Sequence, residues 1–242
     1  MLTSLPNKES IHSTCLSERL LALASLVPKD CVVCDVGSDH GALPLYLLKT
    51  GRCKKAIVTD LNPLPLERAK RALASEILSS QAEFLLTDGI ADVVSSAPDI
   101  FVIAGMGGET IAGILDRAIS DIPKGTRFAL QPMSKDVYLR RYLYEHGFFV
   151  DFETVVLENN KIFLVFSATY DGTTRTKDDF FYKFGEYLPK NSTETANRYW
   201  KMRLEKVRNV CSGKRVAGFD VSEEEREERF LLTLLEEKDE NL

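Results

Sequence analysis

The chain of 242 residues carries 31 Lys and Arg against 36 Asp and Glu, a formal net charge of −5 at pH 7, and 44% of its residues are hydrophobic. That length accommodates one α/β core with a helical appendage, and the anionic balance argues mildly against nucleic acid, whose phosphates are bound by Lys and Arg displacing counterions. The start, MLTSLPNKES, has no basic segment leading into an apolar one, and no apolar run reaches about 18 residues, so a soluble, cytoplasmic protein with no membrane partner is expected.

The average charge hides an asymmetry. Between Gly172 and Gly218 the basic residues are Arg175, Lys177, Lys183, Lys190, Arg198, Lys201, Arg203, Lys206, Arg208, Lys214 and Arg215, opposed by Asp178, Asp179, Glu186, Glu194 and Glu205; beyond them the chain turns acidic again. Net charge therefore does not decide the partner. The cysteines at 15, 31, 34, 53 and 211 are irregularly spaced, and Cys31 and Cys34 point to opposite faces of an expected strand, which speaks against a redox or zinc pair and against any metal site.

In chain order, SERLLALASLV at 17–27 has apolar residues at helical spacing, with Ser17 as N-cap and Pro28 as stop. Strands are expected at 31–36, 56–60, 83–87, 99–104 and 126–131, and helices at 41–49, 63–79, 107–120 and 134–146. The continuous apolar runs CVVCDV and DIFVIAG predict strands buried on both faces, as in a parallel sheet covered by helices. GFFVDFETVVLE and KIFLVFSATY then form a hairpin about Asn159 and Asn160, which tolerate positive φ. A seven-stranded sheet closed by a last, antiparallel strand is typical of Rossmann-like class I methyltransferases, whereas nicotinamide dehydrogenases usually keep the sixth strand parallel. The boundary is placed at 171/172, with 172–242 a small helical, coiled-coil-like domain interrupted near Pro189. Its apolar lining is expected from Phe180, Phe184, Tyr187, Leu188, Tyr199, Met202, Leu204, Val207 and Val210.

The chemistry collects at strand ends. Asp35-Val36-Gly37-Ser38-Asp39-His40-Gly41 places DxGxxxG between a buried strand and a helix, where glycines admit a ligand to the backbone and the helix N-terminus offers free N–H groups. A strand-to-helix turn also needs glycine for shape alone. Asp60 ends the second strand, where a carboxylate can accept from both ribose hydroxyls or else cap the following helix, although Asn62 is better placed for capping. Thr87-Asp88-Gly89 ends the third strand and offers a carboxylate to an adenine amino group; taken alone the pair is a turn. Three such markers at three successive strand ends, with no GxGxxG, favour S-adenosylmethionine (SAM) over NAD. The fourth strand ends in Ala104-Gly105-Met106-Gly107-Gly108, a strip with room for a flat base, or one built for close helix-on-sheet packing. Gln131-Pro132, ending the fifth, is a substrate contact or simply a strand terminus.

DVGSDHGALP, VTDLNP, LLTDGI, IAGMGG, LQP followed by YLRRYLYEHGFFV, and ETVVLENNKIFLV together resemble the bacterial TrmK family of tRNA methyltransferases, over residues 17–168. The resemblance implies methylation of N1 of adenine 22 in tRNA, SAM as donor, and a C-terminal helical domain that aids tRNA binding. It further implies that Gly37, Ser38, Asp39 and His40 surround the methionine part of SAM, Asp60 its ribose, Asp88 and Gly89 its adenine, and Ala104, Gly105, Met106 and Gly107 the methyl group and incoming base; Asp35 is also expected to bind the cofactor. TDLNP departs from the usual surroundings of that acid, which leaves the role of Asp60 less secure than that of Gly37.

Asp39 and His40 are the candidate catalytic pair, orienting the base or taking up its proton, with helix capping and packing as their plainer roles. Gly107, Gly108, Gln131, Lys135, Arg140, Arg141, Arg198 and Lys201 are expected to contact tRNA, against the alternative of solvated helix faces. Tyr182, Tyr187, Tyr199 and Trp200 would stack bases or lie in the core. A monomer is expected. The other readings are a methyltransferase of rRNA, protein or a small molecule, and a non-catalytic SAM-binding module.

Overall fold

A computed structural model of the chain describes residues 16–38 and 40–239. After α1 (Glu18–Leu26), strands and helices alternate: β1 (Cys31–Val36), α2 (Ala42–Lys49), β2 (Cys53–Asp60), α3 (Pro63–Ser75), β3 (Ala82–Leu86), α4 (Ala91–Val94), β4 (Ile100–Gly107), α5 (Gly108–Ala118), β5 (Arg127–Ser134) and α6 (Asp136–Glu145). The hairpin β6 (Phe148–Glu158) and β7 (Lys161–Tyr170) follows. The seven strands run in the order β3-β2-β1-β4-β5-β7-β6. Strands β1 to β5 pair in parallel, and β7 lies antiparallel between β5 and β6, the closure expected from the hairpin.

Side-chain alternation along each strand divides the core in two. Val33, Val58 and Val102 pack with α1, α2 and α3 on one face; Cys34, Ile57, Phe101 and Phe128 pack with α4, α5 and α6 on the other. Cys31 and Cys34 separate between these faces as their spacing requires. At the hairpin, Asn159 (φ 49°) and Asn160 (φ 60°) are both left-handed, the backbone of a two-residue turn matched to strand twist.

Helix α3 stops four residues short of the expected end. Ile77 takes φ 59°, its N–H donates to Ala74 O (3.1 Å), and Leu78 N donates to Leu73 O (3.0 Å). These bonds form a Schellman closure built on an exposed isoleucine rather than glycine, which periodicity does not foretell.

Three helices complete the chain: α7 (Asp179–Phe184), α8 (Glu194–Val216) and α9 (Ser222–Asp239), with a 3-10 turn at Leu188–Lys190 beside Pro189. Asp178 and Thr193 cap α7 and α8 through their side chains. From the ion pair Arg208–Glu228 to Lys214–Glu224 and Arg215–Glu225 the numbers rise along α8 and fall along α9, so the two run antiparallel. Tyr182, Phe184, Trp200, Leu204 and Leu231 join the same apolar core as Phe148 and Phe166 of the sheet. Met202 and Val210, expected inside the helix pair, are exposed instead. Among the described residues no helix is long and apolar enough to cross a membrane.

Candidate active site

The C-terminal edge of β1, β2 and β4 gathers most of the marked residues. Past β1, Gly37 takes φ 72°, and both Gly37 N (2.9 Å) and Ser38 N (3.2 Å) donate to Thr59 O, folding the loop onto β2. Gly41, φ 69°, precedes α2; a Cβ there would stand 2.9 Å from Ala69 Cα, so glycine lets α2 approach α3. His40 shares the left-handed backbone at φ 68° and is exposed. Asp39 lies outside the described residues.

Behind this loop Asp35 is 7% exposed and Asp60 9%. Desolvation pushes the Asp35 carboxyl up to about 6; a hydrogen bond from the Ser38 side chain opposes the rise and the charge of Asp60 adds to it. Asp60 Oδ1 accepts Asn62 N (2.8 Å), fixing the carboxylate at the strand end, while no partner for Oδ2 occurs among the described residues. Asn62 occupies the N-cap position of α3, but its side chain makes no cap bond.

At the end of β3, Gly89 turns the chain at φ 90°. Asp88 Oδ1 accepts Arg117 Nη2 of α5 at 2.9 Å, with both side chains at least half exposed, and Thr87 Oγ1 donates to Asp92 Oδ2 (2.5 Å). Arg117 gave no signal in the sequence, being one more surface cation on a helix.

Strand β4 carries a bulge. Ala104 pairs with Gln131 and Met106 with Pro132, leaving Gly105 as the extra residue, left-handed at φ 75° with open space where a Cβ would stand. The Gly105 N–H donates to Gln131 Oε1 (3.2 Å). Beyond the bulge the Met106 side chain reaches across to β1; a Cβ on Gly37 would lie 2.2 Å from Met106 Cε. The strip and the DxGxxxG loop are thus in contact.

Several expected tRNA contacts are placed otherwise. Gln131 is wholly buried, with Oε1 accepting Gly105 N and Arg19 Nη1 (2.8 Å) and Nε2 donating to Pro132 O (2.7 Å), so no part of its side chain remains for substrate. Gly108 is buried, and a Cβ on it would meet Lys135 O at 2.4 Å, which makes it a packing glycine. Arg140 is 1% exposed; it donates Nε to Glu153 Oε1 (2.7 Å) and Nη1 to Tyr182 O (2.5 Å), and cannot reach a phosphate. Arg141 pairs with Asp179 (2.6 Å) and lies over the Tyr182 ring.

Lys135, left-handed at φ 58°, is exposed beside Gly108, its Nζ 3.9 Å from Glu109. Of the basic run, Lys183, Arg208, Lys214 and Arg215 are paired to acids of α9, because the acidic tail folds back on it. Arg198 donates to Asn160 Oδ1 (2.6 Å) at the hairpin turn and is exposed, as is Lys201. Tyr182 and Trp200 are fully buried and belong to the core rather than to base stacking.

Arg19 carries no mark in the sequence that would set it apart. Its backbone N–H and Nε both go to the Glu158 carboxylate (3.0 and 3.1 Å), so α1 is joined to β5 and β6 by one side chain. Among the described residues no group of three His, Cys, Asp or Glu is arranged to hold a metal.

Comparison with known proteins agrees with the fold. Residues 16–166 match the family described as "Methyltransferase domain". The chain is 28% identical over 202 residues to the Bacillus subtilis tRNA (adenine(22)-N(1))-methyltransferase, covering 81% of this chain and 84% of that one. A Streptococcus pneumoniae protein described as "a putative tRNA (m1A22) methyltransferase", solved with S-adenosyl-L-methionine, superposes with TM-score 0.77 at 25% identity, covering 91% of this chain and all of that one. The crystal structure of the B. subtilis m1A22 tRNA methyltransferase TrmK gives 0.75 at 26% identity, with 94% and 99% covered.

Proposed function

The chain belongs to the methyltransferase-domain family, in its TrmK branch, and from that membership we propose that it transfers a methyl group from SAM to N1 of adenine 22 in tRNA. The observation that carries this reading is the convergence, at one sheet edge, of the buried acids Asp35 and Asp60 with the bulged strip around Gly105.

The residues present fit an adenosyl cofactor. Gly37 and Gly105 both turn in the left-handed region, and open space stands where a Cβ on Gly105 would lie, so backbone can line the site there. Asp60 holds one carboxylate oxygen for a ribose hydroxyl, and Asp35 offers negative charge behind the loop that would surround the methionine part. Asp88, held by Arg117, and Gly89 would meet the adenine. When bound, SAM supplies a sulfonium methyl group, which N1 of adenine takes up with its ring lone pair.

This chain's own contribution is then position and charge. N1 needs no deprotonation before it reacts, so holding base and donor in line accounts for most of the acceleration, of the order of 7–11 kcal/mol for well-oriented reactants. Because N1 lies on the pairing edge, the base must leave its pair, at a few kcal/mol, and Ala104, Gly105, Met106 and Gly107 form the shelf that receives it. Asp39 and His40 orient the base or take up the proton its amino group sheds. Lys135, Arg198 and Lys201 meet tRNA phosphates, with residues 172–242 serving as the helical tRNA-binding unit. A cytoplasmic monomer is the active unit of this proposal.

Transfer of tritiated methyl from SAM to unfractionated bacterial tRNA, followed by nucleoside analysis, tests the reading. Label in 1-methyladenosine, absent when adenine 22 of the tRNA is replaced, is the expected result; stoichiometric SAM binding with no labelled RNA would refute it.

A further inference from the structure

One side chain links α1 to the shelf. Arg19 is four-fifths buried, gives Nε to Glu158, Nη1 to Gln131 Oε1 and lies 4.8 Å from the Phe163 ring centroid; Met133 Sδ stands 3.4 Å from the same Nη1. The Gln131 carboxamide is held without ambiguity. Arg19 and Gly105 N can only donate, so both must face oxygen, and Pro132 O can only accept, so it must face the NH2 group. Gly105 is the bulge residue, and its N–H has left the β4–β5 ladder. The direction of that peptide, and hence the course of 104–107, depends on where Gln131 Oε1 sits.

We infer that Arg19 is a positioning residue for methyl transfer: through Gln131 it sets the Gly105 peptide, and with it the shelf on which donor methyl and base meet. This rests on the function proposed above. A guanidinium suits the task because its planar fork serves Glu158 and Gln131 together; an ammonium at the same reach serves one at a time. Glu158, drawn below the usual carboxylate range although burial opposes this, anchors the fork through Oε1, which accepts Nε, while its Oε2 accepts the Arg19 backbone N–H.

The full-length protein and its Arg19→Ala, Arg19→Lys and Glu158→Gln variants would be compared by amide hydrogen exchange over 102–108, SAM affinity, and single-turnover transfer to tRNA. In Arg19→Ala the Gly105 amide should exchange faster and the transfer rate fall roughly tenfold to a hundredfold, with SAM Kd and tRNA KM within about threefold. Arg19→Lys should lie between. Glu158→Gln, which keeps acceptor oxygen for Arg19 and leaves the Gln131 contact, should lower Tm yet retain exchange and rate. If Arg19 only docks α1, exchange and rate will follow Tm alike in Arg19→Ala and Glu158→Gln, and the inference fails. Unchanged Gly105 exchange in both Arg19 variants overturns it as well, whether or not tRNA is methylated. A wild-type protein that methylates no RNA sinks the function instead, while the exchange comparison still decides the link from Arg19 to Gly105.

Discussion

Arg140 of α6 and Glu153 of β6 form an ion pair at 2.7 Å with each side chain only 1% exposed, and this pair carries the junction between the sheet and the C-terminal helices. Glu153 Oε2 also accepts Tyr187 N (3.2 Å) and Leu188 N (3.3 Å), while Arg140 donates to Tyr182 O. Gly185 passes so close that a Cβ would stand 2.3 Å from Glu153 Oε2. A buried pair adds little over an apolar substitute, but removing one partner strands the other charge. Arg140→Met should therefore cost about 3–5 kcal/mol in urea unfolding. A loss under about 1 kcal/mol would mean that water reaches Glu153.

Asp35 gives the site a pH signature. Its carboxyl is raised from 3.8 to about 6 by burial, so the fold favours the neutral acid. That contribution is complete below the unfolded value and is lost as pH rises through about 6. Asp35→Asn, which removes the buried charge, should match wild type near pH 4 and exceed it in stability at pH 7.5 by up to about 3 kcal/mol. SAM is cationic and favours the carboxylate, so the variant should also bind SAM more weakly. Thermal melts across this pH range, with and without SAM, check both; an Asn variant less stable than wild type at pH 7.5 contradicts the account.

What the sequence reveals here follows the range of the interactions. Strand β1 and the Asn159-Asn160 turn are legible because local preference and burial agree. The glycines at 37 and 41 are legible as backbone needs, though only the fold distinguishes one facing Met106 from one packed on Ala69. The end of α3 at a left-handed Ile77 is hidden, since no glycine announces it. The roles of Arg19, Arg117 and Arg140 are hidden for another reason: a lone cation on a helix reads the same whether it faces solvent or a carboxylate many residues away. The same limit applies to the basic run after Gly172, where Lys183, Lys214 and Arg215 meet the acidic tail only once α9 folds back.

Gly108 and Gly37 should respond differently to alanine. At Gly37 the obstacle is the mobile end of Met106, so the main cost is left-handed backbone, about 1–2 kcal/mol. At Gly108 the obstacle is the Lys135 carbonyl at 2.4 Å, which cannot swing aside. Gly108→Ala must push the β4–α5 junction away from the β5–α6 loop, costing about 1–3 kcal/mol and displacing the shelf. Transfer should fall at least about tenfold while SAM still binds. Normal turnover in a stable Gly108→Ala protein would show that the shelf tolerates the shift.

The tRNA contribution of the helical unit is best tested without removing it. Deletion of 172–242 would take away Tyr182, Phe184 and Trp200 from the shared core and expose Arg140 and Glu153, so weakened tRNA binding would report unfolding. Lys201 and Lys206 are exposed on α8 with no ion-pair partner among the described residues, so replacing them breaks no ion pair of the fold. If both meet phosphates, each removes close to one counterion release from tRNA binding. Lys201→Ala with Lys206→Ala should weaken tRNA binding and flatten the slope of log affinity against log salt by about 0.7–0.9 for each phosphate no longer neutralised. SAM affinity and Tm should hold, because neither lysine touches the sheet edge. A Lys214→Ala control, which removes a cation already neutralised by Glu224, should change the salt slope much less. Equal effects from all three lysines would point to diffuse attraction by net charge, and no effect from any would move the tRNA surface to the Lys135 side of the sheet.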